Sequence, residues 1–177
     1  MAYEYKSTIG QDSHRFVDRL NRTATEAELA RPLLLGGLVI PSAVGLAGNS
    51  DADVVLHALT NAVSGLTGVN ILGKISDQMC LDQGVTDSRA YLERACQDLG
   101  EWEISHLSFA IEGKRPHLAA WIDPMRESLA RLTGIEPRDV GITATTGEGL
   151  TDFGRGDGLQ VFCILTARRR INTEDLA

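Results

Sequence analysis

Seven apolar residues within residues 54–66 follow the three- and four-residue spacing of one helical face, and this pattern constrains the fold most strongly. It predicts a long helix over about residues 51–68. Ser50 is a suitable N-cap, and Asp51 and Asp53 suit the first helical turn. Because such a helix must bury its apolar face, we expect it to pack on a sheet.

The other segments alternate between strand-like and helix-like patterns. Helices are predicted over about 87–99, ending at Gly100, and from Pro116 to about Leu132, closed by Gly134. Strands are predicted over residues 5–10, 33–40, 102–111, 139–146 and 159–167. This order predicts an α+β fold: a single-domain sandwich spanning residues 1–177, in which a mixed β-sheet is covered on one face by helices.

Charge and cysteine content exclude several classes of protein. The chain has 17 basic and 24 acidic residues and a net charge of -7, which argues against a nucleic-acid-binding surface. No run approaches the ~18 apolar residues of a membrane span, and the N-terminus lacks an apolar signal segment. Cys80, Cys96 and Cys163 form no CxxC pair, so we expect free thiols. We therefore expect a cytoplasmic protein without nucleic-acid or membrane partners.

Asp12, His14 and His57 form the first candidate site. Asp12 and His14 stand at positions i and i+2 of extended chain, so both side chains point to one face. His57 lies at the edge of the apolar face of the long helix. A carboxylate and two imidazoles can bind zinc through three ligands, which leaves a fourth position open for substrate. The competing interpretations are a chance D-x-H pair and a hydrogen-bonded core histidine.

The loop before the long helix is the second candidate site. It reads Gly48-Asn49-Ser50-Asp51 and precedes a helix N-terminus, whose free N–H groups accept phosphate readily. The alternative is that Ser50 simply caps the helix.

A glycine-rich loop over residues 145–158 is the third candidate site. It contains five glycines, interleaved with Thr145, Thr146, Glu148 and Arg155. Glycine lets backbone amides approach a ligand, Arg155 could hold a phosphate, and Glu148 could hold Mg²⁺. A pair of tight turns between strands is the alternative.

These segments, taken in order, resemble the 2-C-methyl-D-erythritol 2,4-cyclodiphosphate synthase family. The matching segments are GQDSHRF (10–16), LLLGGLVIP (33–41), GLAGNSDADVVLHAL (45–59), TDSRAYL (86–92) and ITATTGEGLTDFGRGDGLQ (142–160). The resemblance extends over about residues 7–168, and this range is the expected core of the domain. It implies a homotrimer with active sites between adjacent subunits. It also implies that 4-diphosphocytidyl-2-C-methyl-D-erythritol 2-phosphate is cyclised with release of CMP.

The resemblance also implies roles for individual residues. Zn²⁺ would be bound by Asp12, His14 and His57, and Mg²⁺ or Mn²⁺ would bridge the substrate diphosphate near Glu148. Catalytic roles fall on Thr146 and on Asn49, which occupies the position of a family histidine. The implied substrate contacts are Asp12, His14, Ser50, Asp77, Thr145, Glu148 and Arg155.

Three departures from the family pattern leave alternatives open. Asn49 can donate a hydrogen bond but, unlike histidine, carries no charge. Residues 69–77 replace a segment with a substrate-facing aspartate, so that only Asp77 persists, and residues 112–118 replace the usual cytosine-binding loop. The alternatives are a divergent paralogue that acts on another phosphorylated ligand and a non-catalytic trimer that binds isoprenoid diphosphates. The intact metal ligands favour an enzyme.

Overall fold

The computed structural model describes residues 2–20, 22–41 and 43–171. The strands are β1 (Ala2–Arg15), β2 (Leu33–Leu35), β3 (Leu38–Ile40), β4 (Glu103–Glu112), β5 (Val140–Thr145) and β6 (Gly158–Ile171). The helices are α1 (Glu26–Leu29), α2 (Val54–Thr67), α3 (Lys74–Gln83), α4 (Ser88–Cys96), α5 (Ile122–Thr133) and α6 (Asp152–Arg155). Within these ranges, no helix combines the length and the hydrophobicity that a membrane span requires.

Four strands form a mixed sheet in the order β1-β6-β4-β5. β6 runs antiparallel to both β1 and β4, whereas β4 and β5 are parallel. The expected α+β fold with a mixed sheet is therefore confirmed, and β1 and β5 lie at its opposite edges. That residues 1–177 form a single domain stays a prediction.

α2 is the helix predicted from the apolar spacing, and it packs on β1 and β6. Its apolar face is buried, including Val55, Leu59 and Val63, which are fully inaccessible to solvent. β1 lies very close to α2 at Gly10, where an added Cβ would lie 2.0 Å from the carbonyl oxygen of Ala58. Only glycine therefore allows β1 to lie this close to α2.

The opposite side of the sheet carries exposed apolar residues. Burial alternates along β4 and β6, so within one chain only one face of the sheet is covered. Ile9, Phe162 and Ile164, which we call the outer sheet face, are 63%, 40% and 47% exposed. Contiguous exposed apolar residues of this kind often mark a contact surface between proteins.

The predicted strand over residues 33–40 is wrong, because the chain reverses at its centre. β2 and β3 pair as an antiparallel hairpin joined by Gly36 and Gly37. Both glycines have positive φ, +62° and +79°, as a tight two-residue hairpin turn requires.

The predicted N-cap Ser50 is also wrong, because α2 begins at Val54 and Asp53 caps it. The Asp53 carboxylate accepts hydrogen bonds from the N–H groups of Val55 (3.1 Å) and Leu56 (3.0 Å). It also accepts bonds from the N–H groups of Gly36 (2.9 Å) and Gly37 (2.6 Å) in the hairpin turn. Asp53 thus joins helix to hairpin, and it occupies two of the N–H groups at the observed start of α2.

Candidate metal centre and active site

Asp12 and His14 project from β1 towards α2 and meet His57. Asp12 Oδ2 lies 2.9 Å from His14 Nε2 and 3.0 Å from His57 Nδ1, and the two ring nitrogens are 3.2 Å apart. Ligand atoms around a tetrahedral zinc, bonded at about 2.0–2.1 Å, lie about 3.3 Å from one another. The three side chains therefore have the spacing of ligands around one small cation. In the described part of the chain, no other cluster of His, Cys, Asp and Glu has this geometry.

Hydrogen bonding at the far side of the His14 ring indicates which nitrogen faces the centre. His14 Nδ1 lies 2.7 Å from the carbonyl oxygen of Ala47, which can only accept, so Nδ1 carries the hydrogen. The lone pair of His14 Nε2 is then directed at Asp12 and His57. Lone pairs and a carboxylate converge stably only around a positive charge, so the donor set suits a cation.

The pKa values of Asp12 and His14 also indicate that this cluster favours a positive charge. Burial would raise the pKa of Asp12, but hydrogen bonds with His14 and His57 lower it to about 2. Burial would lower the pKa of His14, but the hydrogen bond with Asp12 outweighs it, and the pKa is raised. A divalent cation that binds here would therefore compete with a proton for the same side chains.

A cavity of about 200 Å³, which we call the metal pocket, is lined by Asp12, His14 and His57. The structure brings the predicted residues Asn49, Ser50 and Asp77 into its wall, together with Cys80 and Tyr91. The wall on this side comes from α3, a helix that the sequence patterns did not predict, since its only buried residue is Ser76. Asp77 therefore lies on a helix and faces the metal pocket.

Thr145 and Thr146 lie elsewhere, at the end of β5. They line a separate cavity of about 200 Å³ with Lys114 and His117, and this cavity shares no residue with the metal pocket. Register places Thr145, Glu112, Gln160 and Ser13 in one row across the sheet. Three strand spacings separate Thr145 from Ser13, or about 14 Å. One chain therefore does not bring these threonines to its own Asp12, His14 and His57.

Glu148 and Arg155 also lie away from the metal pocket. Glu148 is exposed in the turn after β5 and has a positive φ of +50°. The Arg155 guanidinium donates to the Asp152 carboxylate and to the carbonyl oxygens of Gly149 (3.3 Å) and Leu150 (3.4 Å). Within one chain, Arg155 thus braces the glycine-rich loop.

Sequence patterns did not predict Ser88 as a site residue, and they placed Asp51 only in the candidate phosphate-binding loop before α2. Ser88, the first residue of α4, has its hydroxyl oxygen 2.9 Å from His57 Nε2. Asp51 accepts hydrogen bonds from the hydroxyl and from the backbone N–H of Ser88. The TDSR segment at residues 86–89 was part of the family resemblance, and its serine was the available signal.

Comparisons with known proteins agree with this geometry. Residues 5–168 match the sequence profile of the YgbB family. A 2-C-methyl-D-erythritol 2,4-cyclodiphosphate synthase from Chlamydia caviae is 43% identical over 169 residues, which cover 95% of this chain and 92% of that protein. A solved structure of a synthase of this name has a TM-score of 0.77 and 28% identity, covering 92% of this chain and 99% of that chain. A CDP-bound form has a TM-score of 0.76 and 27% identity over the same shares of the two chains.

Proposed function

The chain belongs to the YgbB family, and we propose that it cyclises 4-diphosphocytidyl-2-C-methyl-D-erythritol 2-phosphate to 2-C-methyl-D-erythritol 2,4-cyclodiphosphate, with release of CMP. This reaction belongs to the non-mevalonate route to isoprenoids and makes the protein a phosphorus–oxygen lyase. The observation that best supports it is the convergence of Asp12, His14 and His57 beside an open cavity. A cytoplasmic location is part of the same proposal and is supported by three free thiols.

The substrate supplies its own nucleophile. An oxygen of the 2-phosphate forms a bond to the β-phosphorus, and the bond from that phosphorus to the bridging oxygen of CMP breaks. The electron pair leaves with CMP, so no protein nucleophile is needed. The protein contributes positioning and charge neutralisation, which dominate catalysis of phosphoryl transfer.

The metal ligands define where the β-phosphate is placed. Asp12, His14 and His57 would hold a divalent cation, for which we propose Zn²⁺, although the donor set also suits other divalent ions. When bound, this ion neutralises charge on the β-phosphate. Asn49 and Ser50, in the adjacent wall, can donate hydrogen bonds to phosphate oxygens. In the same proposal, Asp77 contacts the substrate from α3.

The second half of the active site lies at the β5 edge. Thr145 and Thr146 contact the diphosphate, with Thr146 stabilising the transition state. Glu148 would hold Mg²⁺ or Mn²⁺, which would neutralise charge on the diphosphate. In the same proposal, the Arg155 guanidinium leaves the Asp152 carboxylate and contacts the substrate instead. As a further part of this proposal, the cavity lined by Lys114 and His117 accepts the cytidine portion. A synthase of this name has been solved in a form with CDP bound.

A cyclic trimer unites the two halves. The metal ligands lie at the β1 edge and the threonines at the β5 edge, so a head-to-tail contact would bring the β5 edge of one subunit against the β1 edge of the next. Such heterologous contacts close into rings. The outer sheet face, with Ile9, Phe162 and Ile164 exposed, supports burial of this surface at the centre of the ring.

The activity itself is the first test. We expect the protein, loaded with Zn²⁺ and supplied with Mg²⁺ and the cytidyl substrate, to release CMP and form the cyclodiphosphate in equal amounts. Phosphorus NMR distinguishes both products from the starting diphosphate. A metal-loaded trimer that releases no CMP would contradict the proposed reaction and favour binding of a different phosphorylated ligand.

Subunit mixing tests whether the site is shared. His57→Ala and Thr146→Ala each damage a different half, so both variants alone should be nearly inactive. Random mixing in a ring restores about one quarter of the interfaces to two intact halves. We therefore expect refolding the two variants together to recover about one quarter of the wild-type rate of CMP release.

The matched control mixes His57→Ala with His14→Ala. Both changes damage the same half, so no interface regains two intact halves and no activity should return. Equal recovery in the two mixtures would contradict a site built from two subunits. Mass spectrometry of the mixtures verifies that the subunits have exchanged.

A further inference from the structure

Ser88 links the metal ligand His57 to the carboxylate of Asp51. Its hydroxyl oxygen lies 2.9 Å from His57 Nε2 and donates to Asp51 Oδ1. Its backbone N–H donates to Asp51 Oδ2 at 3.0 Å. Ser88 is fully buried, so water does not compete for these groups.

The direction of each hydrogen bond in the series His57–Ser88–Asp51 follows from its last acceptor, the Asp51 carboxylate. An ionised carboxylate only accepts, so the Ser88 hydroxyl must give its hydrogen to Asp51. The Ser88 oxygen then presents a lone pair to His57, and His57 Nε2 must carry the ring hydrogen. His57 Nδ1 is consequently unprotonated and directed at Asp12, as a metal ligand has to be.

We propose that Ser88 and Asp51 are positioning residues that fix the tautomer and ring orientation of His57 for metal binding. This inference rests on the metal site of the proposed function. It makes the first turn of α4 part of the proposed metal centre, although this turn supplies no metal ligand. A partner on the second ring nitrogen commonly raises metal affinity by about 10–100-fold.

Ser50 is the only competing hydroxyl that the described residues place near His57 Nε2. Its oxygen lies 3.4 Å away, a long contact, and it also accepts the Ala52 N–H at 3.2 Å. Ser50 has no carboxylate behind it that would direct its hydrogen away from the histidine. The shorter contact from Ser88 therefore determines the tautomer.

The test compares Ser88→Ala with Ser128→Ala. Ser88→Ala removes only the hydroxyl, and the backbone N–H that ties α4 to Asp51 remains. Ser128 is also buried and its hydroxyl donates to the Gly36 carbonyl at 2.7 Å, but none of its contacts reaches the metal pocket. We expect zinc affinity, measured by competition with a chromophoric chelator, to fall about 10–100-fold in Ser88→Ala and to stay unchanged in Ser128→Ala.

Nitrogen NMR of the histidine rings gives a second readout in the metal-free protein. In the wild type, the His57 ring should carry its hydrogen on Nε2, and Ser88→Ala should populate the other tautomer. Equal zinc affinity and an unchanged tautomer in Ser88→Ala would overturn the positioning role while leaving the metal centre intact. Failure of the wild type to bind Zn²⁺ or Co²⁺ would overturn the metal centre itself.

Discussion

Replacing His57 with alanine is expected to remove the bound zinc and to lower kcat/KM for CMP release on the order of 10³-fold, because one of three protein ligands is lost. The fold should survive. His57 lies at the edge of the buried face of α2, and its removal leaves the Asp12–His14 pair in place. The paired loss of metal and activity, with retained secondary structure, is the signature of a metal ligand.

Zinc content by elemental analysis, circular dichroism and steady-state kinetics together measure this effect. His106→Ala is the matched control for zinc content, since it also removes an imidazole but from an exposed position on β4. Unchanged zinc in the His57→Ala protein would mean that the ligands have been chosen incorrectly. A protein that keeps its activity without zinc would contradict the proposed role of the metal.

Replacing Asp53 with alanine is expected to destabilise the fold by about 3–5 kcal/mol, because several backbone N–H groups lose their acceptor and each unsatisfied buried donor costs about 1–3 kcal/mol. Four backbone N–H groups, two from α2 and two from the hairpin turn, would lose their partner. Asp53 is completely buried, so water does not readily replace the carboxylate. A loss of this size is a large part of the stability of an ordinary domain.

Urea unfolding of the metal-free protein measures the free energy of unfolding directly. Asp87→Ala is the matched control, because Asp87 caps α4 through the Arg89 N–H but is solvent-exposed. The cost there should be about 1 kcal/mol, typical of an N-cap. If the two variants lose equal stability, Asp53 is only a helix cap and the hairpin does not depend on it.

The main helix and the sheet could be predicted from residue spacing, because burial on one face leaves a clear period. The hairpin at residues 33–40 was missed, since apolar residues on both sides of the turn looked like one strand. Gly36-Gly37 was the available signal for a two-residue turn. α3 was missed for the opposite reason: it buries almost none of its side chains, so no apolar period exists to detect.

The candidate ligands Asp12, His14 and His57 could be predicted only as a set from the family resemblance, although strand and helix periodicity indicate which way each side chain points. Strand alternation aligns Asp12 with His14, and the helical face places His57 at its edge. The start of α2 was harder, because three cap-forming residues, Ser50, Asp51 and Asp53, compete within four positions. Asp53 is distinguished as the N-cap by its tertiary hydrogen bonds to the hairpin turn. The local sequence pattern around α2 does not show those hydrogen bonds.

The relation of the glycine-rich loop to the metal pocket could not be predicted from one chain. Sequence order says nothing of the distance between Thr145 and His14, which depends on strand order. The sheet places them at opposite edges, so one chain does not combine them. A site that uses both belongs to the proposed trimer. The family resemblance implied this arrangement, and residue patterns alone did not.

The contact at Gly10 gives the metal centre a particular rigidity. Asp12 and His14 follow Gly10 along β1, and His57 immediately precedes Ala58, the residue whose carbonyl Gly10 approaches. The distance between the two sets of ligands is therefore fixed by main chain against main chain, whereas rotatable side chains would leave it variable. In the proposed metal centre, folding would therefore order the three side chains before an ion binds, which lowers the entropic cost of binding. A methyl group at position 10 would widen the ligand triangle without altering a single ligand.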